Sequence, residues 1–138
     1  MYTVSVQAHY DAAHFLKNYK GKCERLHGHR YVVEAVLQTH RLNEAGISID
    51  FVELKRHLRD LTEELDHQNL NDLPQFQGQE TSAENQARHF FEALKERLPP
   101  DLAGGLLYTR VWETPTQWAQ YNPEPVPMLP GQAPARPS

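Results

Sequence analysis

The sequence predicts an α+β domain built on a four-stranded antiparallel sheet, with two helices packed on one face of that sheet. Segments near both ends of the chain are rich in β-branched and aromatic residues, and the first of them alternates apolar and polar side chains. Between them lie two segments whose apolar residues recur every three or four positions, as in amphipathic helices. The resulting order, ββααββ, is typical of a sheet that carries its helices on one side.

The first two strands are predicted at Tyr2–His9 and Arg30–Thr39. Apolar and polar side chains alternate through the first segment, which indicates a strand with one buried face. The second segment is rich in β-branched residues, which favour strands. A polar turn region at Lys17–Lys22 lies between them, so we expect the two strands to pair antiparallel.

The first helix is predicted to begin after Asp50, whose short carboxylate suits the N-cap position. Its apolar stripe consists of Phe51, Leu54, Leu58, Leu61 and Leu65. We expect this helix to end near Asp66 and His67, before a polar loop at 68–78.

The second helix is predicted to begin at a capping box, with Thr81 as the cap and Glu84 reaching back. Its apolar stripe consists of Ala87, Phe90, Phe91, Leu94 and Leu98. Pro99 and Pro100 end it, because proline cannot continue a helix.

The last two strands are predicted at Leu106–Glu113 and Gln117–Tyr121, with a turn between them. The domain therefore spans residues 1–121. Residues 122–138 hold six of the ten prolines and are predicted to form an extended or disordered tail. Four strands leave two open sheet edges, so we expect a homo-oligomer that covers them; a monomer in size-exclusion chromatography would contradict this.

Composition narrows the class of protein. The 138 residues suit one domain, and a net charge of -4 with mixed signs argues against a nucleic-acid-binding surface. No apolar stretch is long enough to span a membrane, and no signal-peptide pattern opens the chain. A single cysteine excludes an intrachain disulfide and favours a reducing compartment, so we expect a cytoplasmic protein.

The segment 23–29 contains the most specific chemical signal. His27 and His29 lie two residues apart, so on a strand both imidazoles point to one face. His14 offers a third imidazole from the preceding extended segment. Three neutral nitrogens suit zinc and leave a coordination position open, which is typical of a catalytic site. Two alternatives remain: the strand histidines face solvent, or Cys23 is a fourth ligand of a closed structural site.

Six short motifs stand in the same order as in a known enzyme family. They are Tyr10–His14, Cys23–His29, Ile49–Phe51, Leu65–Asn71, Thr81–Glu84 and Glu113–Thr114. Over Tyr2 to Tyr121 the chain thereby resembles the family of the 6-pyruvoyltetrahydropterin and 6-carboxytetrahydropterin synthases. The resemblance implies the tunnelling fold (T-fold), in which subunits join their sheets into a barrel, usually as a hexamer of two trimers. It also implies a pterin triphosphate substrate, catalytic zinc and active sites at subunit interfaces.

The resemblance also assigns roles by position. The zinc ligands would be His14, His27 and His29, the catalytic thiol would belong to Cys23, the acid–base pair would be Asp66 and His67 from a neighbouring subunit, and Glu113 would anchor the pterin ring. The alternative for Cys23 is an inert thiol, and for Asp66 and His67 the end of a helix. Thr81 and Ser82 are helix caps first and possible ring contacts second.

The spacing of three residues between the thiol and the first histidine of the 23–29 segment resembles the 6-carboxytetrahydropterin synthases, which serve queuosine and other 7-deazapurine pathways. The implied reaction converts 7,8-dihydroneopterin triphosphate to 6-carboxytetrahydropterin, acetaldehyde and triphosphate. Glu24 resembles a glutamate with which a related subgroup makes 6-hydroxymethyl-7,8-dihydropterin, so a bifunctional or folate-pathway enzyme is an alternative. A 6-pyruvoyltetrahydropterin synthase and a non-catalytic zinc- or pterin-binding module are the others.

Overall fold

A computed structural model describes residues 1–123 as one sheet with helices against one face. The long strands β1 (Tyr2–His14) and β2 (His27–Thr39) pair antiparallel, as predicted, from Tyr2 opposite Thr39 to His14 opposite His27. Both strands extend further than their residue patterns indicated. The added residues bring three histidines to the same end of the sheet.

The other strands complete a sheet of five within the described residues. β4 (Leu106–Thr114) pairs antiparallel with β2 and with β5 (Gln117–Tyr121). The prediction of four antiparallel strands is corrected by β3 (Gln68–Asn69), which pairs parallel with β1 at the edge, giving the order β3-β1-β2-β4-β5. Two residues are too few to show a strand period, so β3 was invisible in the sequence.

Helix α1 (Phe51–Glu63) begins as predicted, because the Asp50 carboxylate accepts the Val52 N–H at 2.9 Å. It ends three residues before Asp66, earlier than predicted. Leu54, Leu58 and Leu61 are buried, but Phe51 is exposed and is wrongly placed in the predicted stripe. Single-turn 3₁₀ helices occupy Leu70–Asp72 and Pro74–Phe76 of the predicted loop.

Helix α2 (Ala83–Arg97) corrects the predicted capping box. Ser82, not Thr81, is its N-cap, and the Ser82 hydroxyl accepts the Asn85 N–H at 3.2 Å. Thr81 is fully buried, and its hydroxyl lies 3.2 Å from the carbonyl oxygen of Phe15 and 3.1 Å from Oδ1 of Asn71. A short helix α3 (Pro100–Ala103) leads into β4.

The core lies between the sheet and the helices α1 and α2. The rings of Tyr10 and Tyr31 stack at its centre with centroids 5.1 Å apart, and Phe90 of α2 packs against Tyr10. No helix in residues 1–123 combines the length and the apolar character needed to cross a membrane. The predicted tail at 122–138 lies outside the described residues except for its first two positions.

Candidate active site

Three imidazoles converge where β1 ends and β2 begins. His14 lies opposite His27, and His29 lies opposite Ala12, so the strand register puts all three rings on the helix-covered face of the sheet. One nitrogen from each ring lies within 4.8 Å of those of the other two. The ring centroids are 4.7 to 5.6 Å apart. We refer to His14, His27 and His29 as the histidine cluster.

Two of these rings have one nitrogen committed to a backbone carbonyl. His14 Nδ1 lies 2.7 Å from the Thr81 oxygen, and His27 Nδ1 lies 2.8 Å from the Arg25 oxygen. A carbonyl can only accept, so both Nδ1 atoms donate, and in the neutral form of each ring Nε2 carries the lone pair. Nε2 of His14 is buried and finds no hydrogen-bond partner within residues 1–123. Metal-binding histidines show this arrangement, so the cluster fits the zinc ion that the resemblance implies.

The protonation state of His14 favours the same role. Burial lowers the pKa of His14, and the neighbouring His27 and His29 lower it further. The Thr81 carbonyl and Glu113 oppose these effects without reversing them. The ring is therefore neutral at pH 7, which is the form that binds a metal.

Glu113 stands beside the cluster. One of its carboxylate oxygens lies 3.5 Å from Nε2 of His14 and 3.8 Å from Nε2 of His29. The side chain reaches this point from β4 and is 30% exposed. A half-exposed carboxylate at the rim of the cluster can accept hydrogen bonds from a ligand that reaches the metal position.

The segment between β1 and β2 forms a small hairpin that carries Cys23. Tyr19 and Lys22 exchange two backbone hydrogen bonds, and Lys20 and Gly21 adopt the positive φ values that a tight hairpin turn needs. Cys23 is exposed, and among the described residues no group of metal-ligating side chains includes its sulfur. The thiol is thus free for chemistry rather than committed to a closed site.

Glu24 fastens the base of this hairpin. Its backbone N–H donates to the Leu16 carbonyl at 2.9 Å, and its Oε1 accepts the Leu16 N–H at 2.9 Å. The side chain is half-buried. The Glu24 carboxylate, next in sequence to Cys23, is therefore already hydrogen-bonded to the backbone of Leu16.

Asp66 and His67 form the side-chain pair that the sequence could only suggest. Asp66 Oδ2 lies 2.9 Å from His67 Nδ1, while Asp66 Oδ1 accepts the Asp11 N–H at 2.8 Å. That N–H and the bond to His67 lower the pKa of Asp66. His67 has a positive φ of 59°, and its N–H donates to the Asp11 carbonyl at 2.6 Å. The backbone N–H and C=O of Asp11 on β1 thus each bind one member of the pair.

Asp11 is a member of this group that sequence reasoning missed. Its carboxylate lies within 4.8 Å of the ligating atoms of Asp66 and His67 and accepts two hydrogen bonds from Arg30, at 3.0 and 3.2 Å. The Arg30 guanidinium lowers the pKa of Asp11. The alternation of side chains along β1 could have indicated its direction, because Asp11 lies three residues before His14 and so faces the other side of the sheet. Asp11 thus points to the open face of the sheet, opposite the histidine cluster.

Of the remaining predicted site residues, Thr81 contacts His14 Nδ1 through its carbonyl oxygen at 2.7 Å and more weakly through its hydroxyl at 3.4 Å, and Ser82 caps α2. A cleft of about 510 Å³ lies along the edge of β1. Its lining comes from β1, from β2 and from the segment 67–69 at the edge of β1, and includes Asp11, Gly28, His29, Arg30, His67 and Asn69. The cleft thus has His67 on one side and the start of β2, at Gly28 and His29, on the other.

The chain resembles known proteins over most of its length. The family model described as 6-pyruvoyl tetrahydropterin synthase matches residues 3–124. A protein of Synechocystis named 6-carboxy-5,6,7,8-tetrahydropterin synthase is 35% identical over 135 residues, covering 94% of this chain and 100% of that protein. A protein of Pyrococcus furiosus named dihydroneopterin monophosphate aldolase is 33% identical, covering 78% of this chain and 85% of that one.

Among solved structures, the 6-pyruvoyl tetrahydropterin synthase of Caenorhabditis elegans superimposes with a TM-score of 0.79 at 27% identity, covering 89% of this chain and 96% of that one. The predicted T-fold is thereby confirmed, with the fifth strand as its correction. Family model, curated relatives and fold agree. The chain belongs to the 6-pyruvoyl tetrahydropterin synthase family, whose members are tetrahydropterin synthases of lyase type.

Proposed function

We propose that this protein is a zinc-dependent 6-carboxy-5,6,7,8-tetrahydropterin synthase of the cytoplasm, acting in queuosine or 7-deazapurine biosynthesis. With one water, it would convert 7,8-dihydroneopterin triphosphate to 6-carboxytetrahydropterin, acetaldehyde and triphosphate. The observation that carries the proposal is the histidine cluster, in which a buried Nε2 of His14 has a lone pair and no hydrogen-bond partner among the described residues. The Synechocystis relative, matched over its whole length, supports the choice of product.

His14, His27 and His29 would hold the zinc ion. When bound, zinc acts as a Lewis acid that makes the protons next to substrate hydroxyl groups more acidic. Glu113, beside the cluster, would accept the adjacent 2-amino and ring N–H donors of the pterin in a bidentate contact and so orient the ring.

Proton transfer would fall to residues outside the cluster. Cys23, exposed on its hairpin, would remove a proton from a side-chain carbon of the substrate. His67 would exchange protons at its Nε2, because its Nδ1 is held by the Asp66 carboxylate at 2.9 Å. That carboxylate fixes the direction of the ring, so that Nε2 would be the nitrogen that accepts and returns a proton.

We further propose that the active sites lie between subunits of a homo-oligomer, a hexamer of two trimers. Asp66 and His67 gather around Asp11, which points to the open face of the sheet, whereas the histidine cluster lies on the helix-covered face. Within one chain the sheet separates the two groups. A second subunit that presents its own pair to the cluster would complete the site.

The test is mass spectrometry of the products formed from 7,8-dihydroneopterin triphosphate by zinc-loaded protein. We expect 6-carboxytetrahydropterin together with acetaldehyde, and no turnover by His27→Ala, which lacks one imidazole of the cluster. A pyruvoyl product would replace the proposal with a 6-pyruvoyltetrahydropterin synthase. Absence of any product from protein that binds zinc would identify a non-catalytic binding module.

A second candidate is formation of 6-hydroxymethyl-7,8-dihydropterin with Glu24 as the acid–base group. The Pyrococcus furiosus relative, named as an aldolase of dihydroneopterin monophosphate, favours it. The hydrogen bond from Leu16 N–H to the Glu24 carboxylate favours a structural role instead.

Two substitutions at Glu24 separate these roles. A glutamine keeps an oxygen that can accept the Leu16 N–H but cannot act as a base, whereas alanine removes both capacities. If Glu24 only fastens the hairpin, Glu24→Gln should retain the products of the unaltered protein and Glu24→Ala should lose activity. If Glu24 is a base, both variants should lose the hydroxymethyl product.

A further inference from the structure

A chain of buried hydrogen bonds runs from the core to the back of the histidine cluster. The Tyr10 hydroxyl donates to Oε1 of Gln86 at 2.7 Å, and Nε2 of Gln86 donates to the Thr81 carbonyl at 2.9 Å. The same carbonyl accepts Nδ1 of His14 at 2.7 Å. Tyr10, Gln86 and Thr81 are fully buried, and His14 is 2% exposed.

The Thr81 carbonyl is the junction of this chain. Thr81 precedes the N-cap of α2, so its carbonyl oxygen lies outside the hydrogen-bond ladder of the helix. Two donors, from Gln86 and His14, fill the two lone pairs of that oxygen. Gln86 therefore holds the carbonyl in the direction that His14 requires.

Gln86 occupies a position where an apolar residue would fill the core at lower cost. A buried amide is costly unless its oxygen and nitrogen are both bonded, and here Tyr10 satisfies one and Thr81 the other. Tyr10 also stacks on Tyr31, whose ring edge packs against His14 with centroids 5.8 Å apart. The aromatic core and the polar chain converge on the same imidazole.

We infer that Gln86, supported by Tyr10, is a positioning residue for His14 and fixes that ring as a metal ligand through the Thr81 carbonyl. The inference rests on the proposed metal site. Partners behind metal-binding histidines set the tautomer and direction of the ring, and their loss typically weakens metal binding by about 10- to 100-fold. Gln86 acts one bond further back, so we expect a loss near 10-fold.

The test compares zinc affinities of the full-length protein and its variants by competition with a chromophoric chelator. Gln86→Met keeps the length of the side chain and removes both hydrogen bonds, and Tyr10→Phe removes one hydroxyl. The matched control is Thr109→Val. Thr109 is fully buried, and its hydroxyl donates to the Ala87 carbonyl on the same helix at 2.6 Å, away from the histidine cluster.

We expect Gln86→Met to bind zinc about 10-fold more weakly and Tyr10→Phe to weaken binding in the same direction, whereas Thr109→Val keeps the affinity of the unaltered protein. The visible absorption of bound Co²⁺ should change in Gln86→Met and not in Thr109→Val. Gln86→Met and Thr109→Val each remove a buried hydrogen bond, so both should lower the stability of the fold. Thermal unfolding alone therefore does not discriminate between a positioning and a structural role.

Zinc affinity of Gln86→Met within about twofold of the unaltered protein, or an equal loss in Thr109→Val, would overturn the inference. If Gln86→Met does not fold, Tyr10→Phe decides by the same criterion. Failure of the unaltered protein to bind zinc would instead contradict the proposed function itself.

Discussion

At the scale of single residues, the partner of one ring nitrogen separates the histidines into two roles. His14 and His27 each donate Nδ1–H to a backbone carbonyl, so the other nitrogen of the neutral ring is directed away from that carbonyl and can bind a cation. His67 donates Nδ1–H to the Asp66 carboxylate, which orients the ring and leaves its Nε2 outward. Under the proposed function, histidine would therefore serve as a metal ligand in the cluster and as a proton carrier at position 67.

Cys23 provides a prediction at this scale. Since its sulfur is in no ligating group among the described residues, Cys23→Ala should leave zinc affinity unchanged. Product formation should fall by about 10²- to 10⁴-fold, the usual loss on removing an acid–base group. Chelator competition and single-turnover product assays measure the two quantities. A parallel loss of zinc affinity would show that the thiol is a ligand after all.

At the scale of elements, the sequence predicted the main strands and helices, which follow from residue periodicity and helix caps. It missed the details that depend on contacts between distant parts of the chain. The spacing of His27 and His29 was sufficient to place two imidazoles on one face, because strand geometry alone sets that face. All three histidines lie beyond the predicted strands, and the register of the longer strands β1 and β2 puts His14 opposite His27. The cap of α2 was assigned one residue too early. Thr81 is an equally good cap by type, but its hydroxyl is used by neighbouring chain segments instead.

The same limit explains why Gln86 and Asp11 were missed. Gln86 interrupts the apolar stripe of α2 with a residue type that is usually exposed, so only the fold shows that it is buried and bonded to Tyr10. The surroundings of Asp11 come from Arg30, which is distant in sequence, and from the segment around β3, which is too short to show a strand pattern.

Helix α2 also supplies a pH-dependent contribution to stability. His89 packs against Phe76 with ring centroids 5.4 Å apart, and burial lowers its pKa, although Glu64 and Glu92 oppose this. In the unfolded chain a histidine titrates near 6.5. Below that pH the unfolded chain binds a proton that folded His89 resists, so the free energy of unfolding falls as the pH drops.

We therefore predict that His89→Gln reduces the loss of stability between pH 7 and pH 5. Urea unfolding of metal-free protein at a series of pH values measures this, with His14 unchanged on both sides of the comparison. His40 is exposed, so His40→Gln is the matched control and should keep the original pH dependence. An unchanged slope in His89→Gln would contradict the prediction.

At the scale of the whole molecule, the single chain has open sheet edges, and its histidine cluster and its Asp66–His67 pair lie in different places on the sheet. β3 pairs only with Ala12 and Ala13, so most of β1 has no strand on that side among the described residues, and β5 forms the opposite edge. Open edges of this length favour pairing with another copy. Such pairing would also bring groups from opposite faces of two sheets to one place.

Subunit complementation tests this directly. His27→Ala removes an imidazole of the cluster and His67→Ala removes the proposed proton carrier, so each variant alone should be inactive, while both should keep the oligomeric state of the unaltered protein. Co-expressed, the two variants form mixed oligomers. If each active site takes its cluster from one subunit and its acid–base pair from another, about a quarter of the sites would contain both intact groups by random pairing.

We therefore expect the mixed oligomers to recover roughly a quarter of the activity per site, measured as product formed by zinc-loaded protein. A double variant carrying both substitutions in one chain, co-expressed with His67→Ala, is the matched control. It supplies no intact acid–base pair, so it should recover nothing. If the site lay within one chain, neither mixture would be active, because every chain would lack one of the two groups. Activity in the first mixture alone would thus establish that the sheet divides the catalytic groups and that a second subunit reunites them.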